Sequence, residues 1–232
     1  MHPLLPALQK GLHDLGLPLS GDQQAQLLAY MDLIAKWTKV YNLTAVRDAN
    51  EMLTHHLLDS LAVVVPLRRE LAKLALPETS PVVPLGDAMQ AGGPRRFNLL
   101  DVGAGAGLPG VVIAITCPEV SVTCVDTVAK KAAFIQQVAA TLRLTHLKGL
   151  HARVESLTQP YDVVCSRAFA SLLDFTTWSK SALASHGVWM AMKGKHPDQE
   201  LLALPQSVKV FHVEQLQVPG LDAERCIIWM RG

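Results

Sequence analysis

With 232 residues, half of them apolar and 18% charged, the chain is long enough for one sizeable α/β core plus a small accessory segment, and its composition excludes a disordered or fibrous polymer. Lys and Arg outnumber Asp and Glu by only 21 to 20, so no molecule-wide field gathers nucleic acid and any such binding must come from local patches. Cys117, Cys124, Cys165 and Cys226 lack the close pairing of a zinc site or a secreted disulfide framework, and the apolar runs fall far short of the roughly 20 residues of a membrane span, so the expectation is a cytoplasmic protein with reduced thiols and no metal.

Residues 1–10 carry two prolines and no cationic start before an apolar run, which argues against a signal peptide. From Asp22 to Thr38, Ala25, Leu28, Met31 and Ala35 recur at helical spacing, with Ser20 and Asp22 as possible caps. Tyr41 to Thr44 is a connecting turn. A second helix is predicted from about Glu51 to Val65, capped by Asn50 and stopped by Pro66. Leu76 to Arg96 holds four prolines and three glycines without periodicity and reads as an irregular surface insertion. The division is therefore a helical segment 1–75, an insertion 76–96 and an α/β core 97–232.

Beyond Arg96, short apolar runs alternate with helical patterns. Strands are predicted at Phe97–Val102, Val120–Val125, Leu147–His151, Tyr161–Ser166, Gly187–Met192, Val208–Val213 and Cys226–Met230. Helices fall at Leu108–Cys117, Val128–Leu142 and Leu172–Ala184. Repeated β-α units imply a mostly parallel seven-stranded Rossmann-like sheet with helices on both faces, and a late hairpin makes the last strand antiparallel.

Chemistry concentrates at the first strand-to-helix junction, where ligands bind in open α/β sheets. The run Asp101-Val102-Gly103-Ala104-Gly105-Ala106-Gly107-Leu108-Pro109-Gly110 admits two readings. Gly105 to Gly110 matches the dinucleotide fingerprint G-x-G-x-x-G, with Asp126 about 20 residues on. Gly103, Gly105 and Gly107, preceded by Asp101, equally resemble the first motif of class I methyltransferases, whose strand-ending acid faces the methionine end of S-adenosylmethionine. A buried carboxylate needs donors, and an ammonium would supply them. Asp126 can accept from two vicinal ribose hydroxyls, which supports an adenosine cofactor without choosing one, and it can also cap the following helix. Arg167, at the carboxyl end of a strand, is well placed for a phosphate or base edge. His55 and His56 lack a metal-ligand set and read as packing or surface. The basic groups Arg68, Arg69 and Lys73, Arg95 and Arg96, Lys130 and Lys131, and Lys193 and Lys195 each read as solvated surface when taken alone.

Four further strings surround the glycine turn: Tyr41-Asn42-Leu43-Thr44-Ala45-Val46-Arg47-Asp48, His56-Leu57-Leu58-Asp59-Ser60, Ser166-Arg167-Ala168-Phe169-Ala170-Ser171 and Met192-Lys193-Gly194. In this order they resemble the family of glucose-inhibited division protein B, bacterial methyltransferases that modify N7 of a guanine in small-subunit ribosomal RNA. The likeness runs from about Gln23 to Pro66 and from Phe97 to Trp229, and departs at the insertion and at Ala104 and Ala106. It implies a class I S-adenosylmethionine methyltransferase with an N-terminal helical extension, acting as a monomer on 16S ribosomal RNA or the small-subunit particle. By the same resemblance, Gly103, Gly105, Gly107 and Leu108 line the cofactor, Asp126 and Thr127 flank its ribose, and Val154 and Glu155 border its adenine. Arg167 then sits where cofactor and substrate meet and is the residue expected to carry catalysis. Tyr41, Phe169 and Trp178 are available to stack on the target base. The competing readings are a small-molecule methyltransferase and an NAD-binding oxidoreductase.

Overall fold

Strand β1, Phe97–Val102, buries every residue except Asn98, which only a strand covered on both faces requires. Its residues alternate between two cores, with Leu99 in one and Leu100 and Val102 in the other. A computed structural model of the chain describes residues 2–75 and 97–232, so the expected insertion 76–96 lies outside the described residues. All seven predicted strands form: β2 (Val120–Asp126), β3 (Leu147–His151), β4 (Tyr161–Arg167), β5 (Leu183–Lys193), β6 (Lys209–Gln215) and β7 (Cys226–Arg231) follow β1. They make one seven-stranded sheet in the order β3-β2-β1-β4-β5-β7-β6. β1 pairs in parallel with β2 and β4, whereas β7 lies antiparallel between β5 and β6. The expected fold class holds, including the antiparallel last strand.

The helical segment packs on one face of the sheet. Helix α1 (Leu5–Asp14), unpredicted, has Pro6 in its first turn, where a missing N–H is tolerated, and buries Leu8 and Leu12. Helix α2 runs over Gly21–Tyr41, longer than expected, because Ser20 and Gln23 form a reciprocal capping box and Asn42 closes the other end in the left-handed region. The cap of α3 (Ala49–Met52) is Asp48, whose carboxylate accepts from the N–H groups of Asn50 and Glu51, and not Asn50 itself. A π-helical segment, Leu53–Leu58, runs on into α4 (Asp59–Leu61). Pro66 does not stop the chain: α5 (Val64–Ala75) begins just before it, so the proline occupies a first turn whose N–H groups have no helical partner. Leu8, Leu27, Tyr30, Leu57 and Leu61 share one buried cluster with Val111 to Ile115 of α6 (Gly110–Thr116), so segments 2–75 and 97–232 have a core in common.

Helix α7 (Ala129–Thr141) covers the same face, while α8 (Leu172–Trp178) belongs to the second core. α8 ends well before the expected Ala184. Tyr161 of β4 pairs with Leu183, which draws those residues into β5, and Ser179 Oγ, donating to the Phe175 carbonyl and accepting from Trp189 Nε1, closes the helix. A short α9, Asp198–Leu202, was not predicted; none of its residues is buried, so it lacks the apolar stripe that marks a helix. All four cysteines are free and buried. No described helix is long and apolar enough to cross a membrane.

Candidate functional site

The glycine turn is built from both ends. Asp101 is fully buried and its Oδ2 accepts the Gly110 N–H at 2.8 Å, while Oδ1 has no hydrogen-bond partner among the described residues. Burial pushes its carboxyl up to about 7, against the opposing pull of the Gly110 N–H and the Arg167 cation. The turn's own backbone thus satisfies one oxygen of this carboxyl, and Asp101 is not on the wall of the cavity beside it. At φ +66°, Gly103 lies so close to Phe169 that a Cβ would fall 2.3 Å from that ring. Gly107, at φ +90°, is packed against Val111 and the Tyr30 hydroxyl instead. Tyr30, wholly buried on α2, donates its hydroxyl to the Ala106 carbonyl at 2.6 Å and so supports the turn from behind.

A cavity of about 380 Å³ opens at the carboxyl ends of β1 and β2, a volume in the usual range for a small-molecule site. Gly103, Asp126, Thr127, Val154 and Glu155 all line it, together with Val102 and Val125. Gly105, Gly107 and Leu108 do not: Gly105 donates its N–H to Asp126 Oδ2 at 3.0 Å, and Leu108 is buried in the core shared with the helices. Asp126 also accepts the Val128 N–H at 2.9 Å and has Lys131 Nζ 3.5 Å away. Each of its oxygens therefore keeps capacity for one further donor. Sequence reasoning noted Lys131 only as part of a charge pair, although its place in the first turn of the helix that follows Asp126 was a usable signal. Phe169 and Trp178 line this cavity too and meet edge to face, 5.8 Å apart, while Tyr41 instead packs against Trp37 on α2.

Arg167 lines a second cavity of about 410 Å³ with His55, His56, Asp59, Lys193 and Arg225. Ala168, held at φ +51°, belongs to the walls of both cavities. The π-helical segment shapes this site. The Asp59 N–H is donated to the Thr54 carbonyl five residues back, and the His55 carbonyl, its α-helical acceptor, receives Arg167 Nη1 at 3.2 Å. The same Nη1 reaches Asp59 Oδ2 at 2.8 Å, and Arg225 Nε reaches Asp59 Oδ1 at 2.9 Å. Arg225 escaped sequence reasoning because nothing local marks it; its role arises from β7 lying beside β5. His56 Nε2 meets Thr44 Oγ1 at 2.6 Å, and burial, aided by the Arg167 cation, holds its imidazole below the usual histidine range. Lys193 is bound by both Glu200 oxygens and the Ala170 carbonyl. Arg68, Arg69 and Lys73 are likewise tied to the Thr116 carbonyl, Glu214 and Glu70. Among the described residues, no group of three His, Cys, Asp or Glu is placed to hold a metal ion.

A parallel sheet with β7 inserted antiparallel, a glycine turn after β1 and a carboxylate ending β2 beside a nucleoside-sized cavity define the class I S-adenosylmethionine methyltransferase fold. The chain belongs to the family described as GidB, rRNA small subunit methyltransferase G, whose model matches residues 23–74 and 87–228. It is 66% identical to Ribosomal RNA small subunit methyltransferase G of Polaromonas sp. (strain JS666 / ATCC BAA-500) over 97% of this chain and 92% of that protein. Against the protein of the same name from Albidiferax ferrireducens it is 63% identical, over 100% of this chain and 98% of that one. Among solved structures it resembles a SAM dependent methyltransferase from Aquifex aeolicus, at 15% identity and a TM-score of 0.47 over 60% of this chain and 84% of that one.

Proposed function

We propose that this chain transfers a methyl group from S-adenosylmethionine to N7 of a guanine in 16S ribosomal RNA, presented as free RNA or within the small-subunit particle. The observation that carries this reading is the pair of cavities meeting at Ala168, one suited to a nucleoside and the other cationic, in a chain of this family. The first cavity fits the cofactor: Asp126 retains acceptor capacity for vicinal ribose hydroxyls, and Val102, Val125 and Val154 offer apolar walls for an adenine. Thr127 and Glu155 border it, and Gly103 supplies the bare backbone against which a ligand can lie. Gly105, Gly107 and Leu108 act at one remove, by shaping the turn and fixing Asp126.

The cofactor, when bound, supplies an activated methyl on a sulfonium leaving group. Guanine N7 carries an exposed lone pair, so no proton has to be removed before attack. The second cavity agrees with that chemistry. Both Asp59 oxygens are taken by arginines, and His56, held neutral, is engaged with Thr44. What remains for the protein is alignment, which alone can lower a barrier by roughly 7–11 kcal/mol. Arg167, clamped by Asp59 and the His55 carbonyl, orients the substrate through phosphate or the O6 edge; it cannot stabilise the positive charge growing on the purine.

The test is incubation of the purified protein with labelled S-adenosylmethionine and 16S RNA or small-subunit particles from cells lacking the gene. The expected product is a single N7-methylated guanine. Label appearing on another atom, or on neither substrate, would overturn the proposal.

A further inference from the structure

We infer that Arg225, immediately before β7, forms with Arg167 a subsite for a backbone phosphate of the RNA, the two guanidinium groups being set in place by Asp59. This deepens the proposed function and rests on it for the identity of the strand that carries the phosphate.

The inference begins with an imbalance of charge. Asp59 is 4% exposed and gives one oxygen to each arginine, whose side chains are 19% and 24% exposed. One carboxylate offsets one guanidinium, so the cluster keeps a surplus positive charge in a partly dehydrated pocket, where an uncompensated ion is unfavourable. Lys193 does not share the surplus, because Glu200 already neutralises it. A bound anion removes the imbalance.

Geometry supplies the donors. Arg167 Nε and Nη2 and Arg225 Nη2 make no hydrogen bond among the described residues, whereas Arg167 Nη1 and Arg225 Nε are spent on Asp59. Each guanidinium is therefore anchored by one edge with further N–H groups to offer, as in fork-like recognition of a phosphate. Location then selects the ligand. The cavity holding both arginines shares Ala168 with the cofactor cavity, so a nucleotide presented base-first at that junction carries its phosphate on the arginine side. Two cationic anchors come from distant parts of the chain, and the buried carboxylate that joins them sits on the N-terminal extension, which couples that extension to RNA binding.

The experiment measures binding of unmodified 16S RNA to the full chain and to Arg225→Gln and Arg225→Lys, between about 50 and about 200 mM salt. For Arg225→Gln we expect about tenfold weaker binding and a slope of log affinity against log salt shallower by about one, the signature of one lost phosphate contact. Affinity for S-adenosylhomocysteine should change by less than about twofold, and Arg225→Lys should restore most of the slope while recovering less of the affinity. An unchanged slope in Arg225→Gln overturns the subsite, as does a parallel loss of S-adenosylhomocysteine affinity, which would mark a purely structural role. If Arg225→Gln fails to fold, Arg225→Met, which keeps the aliphatic stem without the charge, is read by the same criterion: a slope shallower by about one supports the subsite, and the parental slope overturns it. Because binding is read without turnover, failure of the parent protein to methylate RNA would refute the proposed reaction separately.

Discussion

Asp101 shows how a single buried group can leave a mark on the stability of the molecule. Its carboxyl is raised from an ordinary 3.8 to about 7, chiefly by burial. Between those values the unfolded chain has released a proton that the folded chain still holds, so this residue's contribution to stability falls as pH rises through the window and levels off above it. Asp101→Asn should therefore gain stability relative to the parent by a few kcal/mol between about pH 4 and about pH 7, measured by urea unfolding at both ends. A difference that is flat with pH would contradict the burial argument. Gly103 makes a second residue-scale case. Gly103→Val forces a branched side chain to φ +66° and against Phe169, a strain of about 1–3 kcal/mol, so S-adenosylhomocysteine affinity by calorimetry should drop roughly tenfold or more. Arg167→Ala should leave that affinity largely intact while single-turnover methylation falls by about two orders of magnitude, since orientation is lost and binding of the cofactor is not. Methylation at the parental rate would remove Arg167 from the mechanism.

Helix α2 matters to the site although it contributes nothing to either cavity wall. It lies behind the glycine turn, where Tyr30 holds the Ala106 carbonyl and Gln23 holds the Ile115 carbonyl at 2.9 Å. Tyr30→Phe leaves a buried carbonyl unsatisfied, at a cost of about 1–3 kcal/mol, and should weaken S-adenosylhomocysteine binding without changing any residue that lines the cavity. Normal affinity in a destabilised variant would limit α2 to a packing role. The contact of α7 with β3 is of the other kind. A Cβ on Gly149 would sit 2.4 Å from the Ala132 carbonyl oxygen, part of a helix backbone that cannot yield locally. Gly149→Ala should therefore lower stability by about 1–3 kcal/mol and leave the methylation rate per folded molecule unchanged.

Across the whole molecule, cofactor binding and folding are linked, because the cavity exists only when the turn, β2 and the loop after β4 are assembled. S-adenosylhomocysteine at a hundred times its dissociation constant should add about 2.7 kcal/mol of stability, and NAD none. A thermal shift with NAD and not with the nucleoside would reverse the assignment. The near balance of 21 basic and 20 acidic residues means that RNA affinity must come from local cationic patches, the second cavity among them, and from shape, so its salt dependence should reflect few phosphates.

Strand positions, the glycine turn and the acid ending β2 were legible in the sequence because each is a local demand: alternating burial, a backbone without side chains, a carboxylate at a strand end. Family resemblance added Thr127, Val154 and Glu155, which do line the first cavity. Local pattern could not supply the limits of α8, which pairing with β4 cut short, or the passage through Pro66, which became a first turn when the helix restarted before it. Nor could it separate Gly103, on the cavity wall, from Gly107, packed toward α2, since both have the same composition and differ only in what lies beside them. The joining of Asp59, Arg167 and Arg225 was decided by tertiary structure alone. Those three residues are far apart in the chain, and only the antiparallel insertion of β7 beside β5, with the helical segment laid over that end of the sheet, brings one carboxylate between two guanidinium groups.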